Sequence, residues 1–197
     1  QYFSSNFKFI IKDEGKNIHL PIPNYKRPDI KNASGPYSSE SKNIDLIDLI
    51  IGSEGIFGLI VSCKLGLLKR PKEYLNLFLR LESENEALDL YTYLYNYFDK
   101  DMSKVFALEY FGHNCQNYMN HKDFLFNSDN QVGLYIKIPI YNQSIENKSI
   151  EWFEILKKFN NKIKSEEIVV LNDKKNMELF FKARHSIPDN ALVKTKT

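Results

Sequence analysis

Three glycines stand at every third position in Gly52-Ser53-Glu54-Gly55-Ile56-Phe57-Gly58. Glycine reaches φ > 0 without penalty and lets another backbone or a ligand come close. The exposed N–H groups of such a turn can bind phosphate oxygens. Two known phosphate loops are excluded. No Gly-Lys-Ser/Thr ending is present, so this is not a P-loop. The spacing is not Gly-x-Gly-x-x-Gly, and the expected order is helix then strand, so it is not the dinucleotide fingerprint either. Taken alone, the segment suits a tight helix-to-strand turn as well as a ligand loop.

Other reactive residue types are scattered. The histidines are His19, His113, His121 and His185, with Cys115 between the middle two. None of their spacings resembles a metal cluster, so surface positions and no metal are expected. Cys63 and Cys115 lie far apart and outside any Cys-x-x-Cys, which suits two reduced thiols in a cytoplasmic protein. His185 follows Arg184 directly, but adjacent residues on a helix point about 100° apart. Tyr91, Tyr93, Tyr95 and Tyr97 spread around their helix, which suits packing or a partner surface rather than base stacking.

The elements that must position these residues can be read from pattern. Phe7 to Ile11 predicts a strand, followed by a turn at Asp13 to Lys16. Pro21, Pro23 and Pro28 argue against regular structure, and loop is expected through Ser41. Asn43 to Ile51 predicts a helix capped by Asn43 and stopped by Gly52. Residues 56 to 68 predict a strand, and Arg70-Pro71-Lys72 a domain boundary. Tyr74 to Leu81 alternates as a strand. Ser83-Glu84-Asn85-Glu86 is a capping-box pattern opening a helix to about Phe98, with Ala87, Leu90, Leu94 and Phe98 on one stripe. Strands follow at 104–110, 132–140 and 167–171, and helices at 149–159 and 174–186, the last ended by Pro188. The stretch 112–130 reads as polar and irregular. The pattern is α+β, a sheet layered with helices.

Composition narrows the function classes. Hydrophobic residues make up 43% of the 197, enough for a packed core. The 27 basic and 25 acidic residues are interleaved and net only +2. That offers no basic field for nucleic acid. The apolar run 46–68 invites comparison with a transmembrane span, but Asp48, Glu54 and Lys64 lie inside it. Asp or Lys at a bilayer centre costs roughly 2.5–3.5 kcal/mol, so no transmembrane segment is expected and a buried helix, turn and strand fit better. The chain opens at Gln1 without Met and stops shortly after a helix-like segment, as expected of an excerpt from a longer protein.

Asp45-Leu46-Ile47-Asp48-Leu49-Ile50-Ile51, continuing into Gly52-Ser53-Glu54-Gly55-Ile56-Phe57-Gly58-Leu59-Ile60 and preceded by Lys31-Asn32-Ala33-Ser34-Gly35, resembles the FAD-linked oxidases. That family includes glycolate oxidase subunits, D-lactate dehydrogenases and vanillyl-alcohol oxidase. Its pattern is Lys-Asn-x-x-Gly-Tyr, an acidic-apolar helix, then Gly-Ser-Glu-Gly-Thr-Leu-Gly-Ile-Ile. Ile56 and Phe57 depart from the usual Thr and Leu, and Pro36 intervenes before Tyr37. Downstream, Leu108-Glu109-Tyr110 is similar to a Leu-Glu-Phe strand, Arg184 to Pro188 to an Arg-x-x-Ile-Pro helix, and Lys196-Thr197 to the start of a Lys-x-Asp strand.

The resemblance implies two parts: residues 1–70 closing an FAD-binding domain, and residues 71–197 opening a mixed sheet-and-helix substrate (cap) domain. The family's first FAD-binding half would precede residue 1, and its histidine-rich metal motif would follow residue 197. It further implies FAD as cofactor, a small 2-hydroxy acid as substrate and a separate electron acceptor. Gly52, Ser53, Glu54, Gly55, Gly58, Leu59 and Ile60 would lie along the FAD, mostly through backbone. Lys31, Asn32 and Gly35 would sit nearer the flavin ring. Arg184, then Lys196, would hold the substrate carboxylate, because a cation must neutralise it and arginine does so through two parallel hydrogen bonds. Read without the resemblance, Arg184 is a solvated helix-end cation. The alternative is a non-catalytic α+β binding or scaffold module; self-association is left open.

Overall fold

The computed structural model describes residues 3–13, 16–23, 50, 52–159 and 165–194. The chain divides into two compact units, Gln1–Leu67 and Leu68–Thr197.

In the first unit, β1 (Phe3–Asp13) and β2 (Lys16–Pro23) pair antiparallel, with an irregular register between Ser4 and Lys8. The expectation that Pro21 and Pro23 exclude regular structure is overturned: both pair within the ladder, Pro21 with Lys8 and Pro23 with Phe3. Each strand of a two-stranded sheet has one open side, where a proline's missing donor breaks no ladder bond. The strand expected over residues 56–68 is absent. Those residues are irregular and exposed, with Leu59 at 89% and Leu68 at 93% of full exposure. Among the described residues no strand pairs with them, and an apolar alternation without a partner forms no ladder. The helix expected at Asn43–Ile51 lies outside the described residues except for Ile50, which is helical.

The second unit is a four-stranded antiparallel sheet with helices on both faces. Its elements are β3 (Glu73–Leu81), α1 (Glu84–Tyr97), β4 (Ala107–Phe111), the short α2 (Lys122–Leu125), β5 (Val132–Ile140), α3 (Ile145–Phe159), β6 (Ile168–Val170) and α4 (Lys174–Lys194). Strand order is β4-β5-β3-β6. Antiparallel neighbours make β3 parallel to β4 and β5 parallel to β6, each pair bridged by a helix with one strand between. This β-α-β-β-α-β topology is the split, ferredoxin-like arrangement.

Alternation along β3 and β5 builds two cores. Leu75, Leu77, Leu79 and Leu81 join Val132, Leu134, Ile136, Ile138 and Ile140 on one face, beneath Leu90 and Leu94 of α1 and Trp152 and Leu156 of α3. Phe78 and Tyr135 face the other way, against Phe111, Leu125, Phe126 and Phe180. The expected cap forms at α1 with its return bond shifted by one residue: Ser83 Oγ accepts from Glu86 N at 3.2 Å, and the Glu86 carboxylate accepts from Glu82 N, just before the cap, at 2.8 Å. Pro139 is tolerated in a central strand because β4 pairs only with residues 133–137 of β5 and leaves that position open.

Three boundaries move. The strand expected at 104–110 begins at Ala107, after a 3-10 turn at Met102–Lys104 capped by Asp101. The irregular stretch 112–130 contains a 3-10 helix at His113–Tyr118 as well as α2. Pro188 does not end α4, which continues to Lys194. A helix-interior proline loses one backbone bond and crowds the carbonyl four residues back. Tethers beyond it offset this: Asn190 Nδ2 donates to the Tyr118 carbonyl at 2.8 Å, and Lys194 Nζ to the Asn117 carbonyl at 2.9 Å.

Gly133 marks the tightest point of the second core. A Cβ there would run into the buried Phe78 ring, within 2.9 Å of Cε2 and closer still to Cζ. Phe78 is itself boxed in by Phe111, Phe126 and Phe180. Gly133→Ala is therefore expected to lower unfolding stability by about 1–3 kcal/mol in urea titration. Gly112→Ala, with its nearest neighbour at 3.4 Å and φ of −68°, is the control expected to change it little.

Candidate functional site

The glycine turn is a chain of tight turns. Ser53 N donates to the Ile50 carbonyl at 3.1 Å, Ile56 N to Ser53 at 2.9 Å and Gly58 N to Gly55 at 3.4 Å. Gly52, Gly55 and Gly58 have φ of 75°, 85° and 143°, and Glu54 joins them at 50°. The glycines are thus required by backbone conformation, not by crowding: a Cβ at Gly55 or Gly58 would meet nothing within 4 Å. Among the described residues, the N–H groups of Glu54, Gly55 and Phe57 have no backbone partner. Such a turn can take an anion through main-chain donors. The Glu54 carboxylate opposes phosphate, so contact would have to go through those donors. Leu59 and Ile60 are exposed at 89% and 65%. Lys31, Asn32, Gly35 and Lys196 lie outside the described residues.

Arg184 sits well inside α4, not at a helix end, because the helix runs on through Pro188. Phe180, Ala183, Arg184 and Ile187 follow the i, i+3, i+4, i+7 spacing that turns one helical face to a sheet. Phe180 and Ala183 are buried in the core there. Arg184 reaches Glu109 on β4 in a two-pronged pair, Nε to Oε2 at 2.6 Å and Nη2 to Oε1 at 3.1 Å. Both side chains are about one-third exposed. His185 points elsewhere, packing on Phe181 at 5.8 Å and lining a polar cavity of about 460 Å³ with Asn120, His121, Lys182 and Asp189. Arg184 and His185 therefore serve different surfaces.

A polar row missed by the sequence reading continues from Glu109 into the core. Glu109 is the register partner of Tyr135. The Tyr135 hydroxyl donates to Asn76 Oδ1 at 2.7 Å, with both residues buried. Asn76 N donates to Asn172 Oδ1 at 2.8 Å, and Asn172 Nδ2 to the Tyr74 carbonyl at 2.6 Å. One signal was available: Asn76 is the single polar residue in Leu75-Asn76-Leu77-Phe78-Leu79. Arg80 is a second such residue, its guanidinium donating to the carbonyls of Leu125 and Glu166 at 2.7 Å each. Burial lowers its pKa, opposed by the charge of Glu167.

Burial pushes the Tyr135 phenol up to about 12, the Glu109 carboxylate adds to this, and Arg184 opposes it. A raised folded-state pKa favours the neutral phenol. Its contribution is fully present below the unfolded value near 10 and is lost as pH rises through about 12. At about 1.4 kcal/mol per unit, up to about 3 kcal/mol is involved. Tyr135→Phe should flatten this alkaline loss while costing about 1–2 kcal/mol at pH 7, where Asn76 Oδ1 loses its donor. Urea unfolding of both proteins between pH 7 and 11.5 checks this; equal pH slopes would contradict it.

Among the described residues, no helix is long and apolar enough to cross a membrane, and no three His, Cys, Asp or Glu side chains are grouped to hold a metal. No family model matches the chain, and no curated protein matches it.

Proposed function

We propose that this chain is part of a flavin-dependent oxidoreductase of the FAD-linked oxidase type, acting on a small 2-hydroxy acid of the lactate and glycolate class. Gly52, Ser53, Glu54, Gly55, Gly58, Leu59 and Ile60 line the FAD, Lys31, Asn32 and Gly35 approach its ring, and Arg184 with Lys196 holds the substrate carboxylate. The observation that carries the proposal is the Gly-Ser-Glu-Gly-x-x-Gly turn, whose backbone has φ > 0 at four positions. When bound, FAD accepts the hydride from the carbon bearing the hydroxyl. The chain's own residues bind and orient.

Arg184 suits the carboxylate role by chemistry, being always charged and held in place from one side by Glu109. That same carboxylate competes with an incoming anion. Substrate must share the guanidinium with Glu109 or displace it, and a partly exposed pair of this kind is worth only about 1 kcal/mol or less. The neutralising Glu109 is also what favours the rival proposal of a non-catalytic α+β binding or scaffold module, in which the pair merely pins α4 to β4.

The test is an absorbance titration of the natural protein carrying this chain with FAD, followed by D-lactate or glycolate without air. A bound flavin band that bleaches with the hydroxy acid is expected. Gly55→Val, which forces a branched side chain into φ of 85°, should weaken FAD binding tenfold or more, and Arg184→Met should abolish bleaching while leaving the band. Absence of any flavin band would sink the oxidoreductase proposal and favour the binding module.

A further inference from the structure

A second cavity, of about 320 Å³, opens on the other face of the sheet between α1 and the edge strand β4. Ala87, Leu88, Leu108 and Leu134 form its apolar walls, and Tyr91 and Tyr110 line it with aromatic surface. Glu84 is the one formally charged residue on its lining. Alternation explains the composition. Leu108 and Tyr110 share a face of β4, while Glu84, Ala87, Leu88 and Tyr91 fall on one side of α1 at helical spacing. Among the described residues β4 is the last strand in the sheet, and Leu88, Tyr91 and Tyr110 are 63%, 42% and 49% exposed.

The site's parts are held in place. Tyr91 stacks on Tyr95, with ring centroids 6.0 Å apart and planes 20° off parallel. Tyr110 lines the cavity beside Glu84, and burial together with that carboxylate pushes its phenol up to about 12. It therefore stays neutral and adds no second charge at ordinary pH. His113 also faces Glu84, its Nδ1 3.8 Å from Oε1.

We propose that this cavity binds a small organic cation, an alkylated ammonium on an apolar or aryl body. Two tyrosine rings and a carboxylate attract such a head group, since a cation over an aromatic face gains electrostatic energy and more when desolvated. The four aliphatic side chains take the apolar body. A carboxylate or phosphate ligand would meet Glu84 as a like charge. A purely neutral hydrocarbon would gain nothing from the carboxylate and less from the tyrosine ring faces. The volume is at the small end for ligand pockets and suits one such molecule. This inference is independent of the flavin proposal, which concerns the glycine turn and the opposite face of the sheet.

The test uses the full chain and benzyltrimethylammonium, followed by calorimetry and by NMR of the tyrosine rings. Two probes of the same body serve as comparisons: neutral neopentylbenzene and anionic phenylacetate. Saturable binding of the cation, at least tenfold tighter than either comparison and with Tyr91 and Tyr110 ring signals shifting, is the expected result. Glu84→Gln should lower the affinity severalfold with the thermal midpoint nearly unchanged, because that side chain is largely exposed. Tyr91→Leu should lower it as well while keeping the apolar wall. Equal binding of the neutral isostere, an unchanged affinity in Glu84→Gln, or no saturation by millimolar cation would each overturn the proposal.

Discussion

The pairing of β3 with β5 is the constraint on which the second unit depends. Nine consecutive register pairs, from Glu73↔Ile140 to Leu81↔Val132, join the two central strands. Both strands are buried on both faces, so the register decides which residues meet which helix. A slip of one residue would turn the Leu and Ile ladders away from α1 and α3 and expose them to the aromatic side. Gly133 strengthens the specification. It lies in register with Arg80, beside Phe78, and only a residue without Cβ leaves room for that ring.

The two faces of the sheet divide the labour. One is wholly aliphatic at its centre and is capped by two amphipathic helices. The other mixes aromatic rings with a row of polar groups: Arg184 bonds Glu109, whose register partner Tyr135 bonds Asn76, and Asn76 bonds Asn172. Buried polar groups are costly unless each is partnered. Here Asn76 has partners for its backbone N–H, its carbonyl and its side-chain oxygen. The row ties β3, β4 and β5 to α4 and to the residue after β6, so it orients the helix that carries Arg184. That orientation sends Arg184 to the sheet and His185 to a different surface.

Local signals were legible where they are strong and self-contained. Ser83 and Glu86 announce the start of α1, and Leu90 and Leu94 announce its buried stripe; both form as their spacing requires. Alternation in residues 74–81 and 132–140 marks the two central strands. The glycine spacing at 52–58 marks a turn with φ > 0. Proline was the unreliable signal. Pro21, Pro23 and Pro188 all lie inside regular elements, because the cost of a missing donor depends on whether a neighbour needed it. Residues 56–68 failed in the opposite sense. Their apolar pattern is sound, but a strand exists only when another strand pairs with it.

The sequence alone therefore determined the mixed α+β character, the two best strands, the capped helix and the glycine turn. Each of these depends on residues within a few positions of one another. Only the tertiary structure decided that Glu109 would neutralise Arg184, that Asn76 would answer Tyr135, and that Glu84 and Tyr110 would share a cavity. Those pairs are separated by 75, 59 and 26 positions, as residue numbering shows. No local propensity encodes such meetings. They follow from strand order and register, which are set by the packing of the whole sheet.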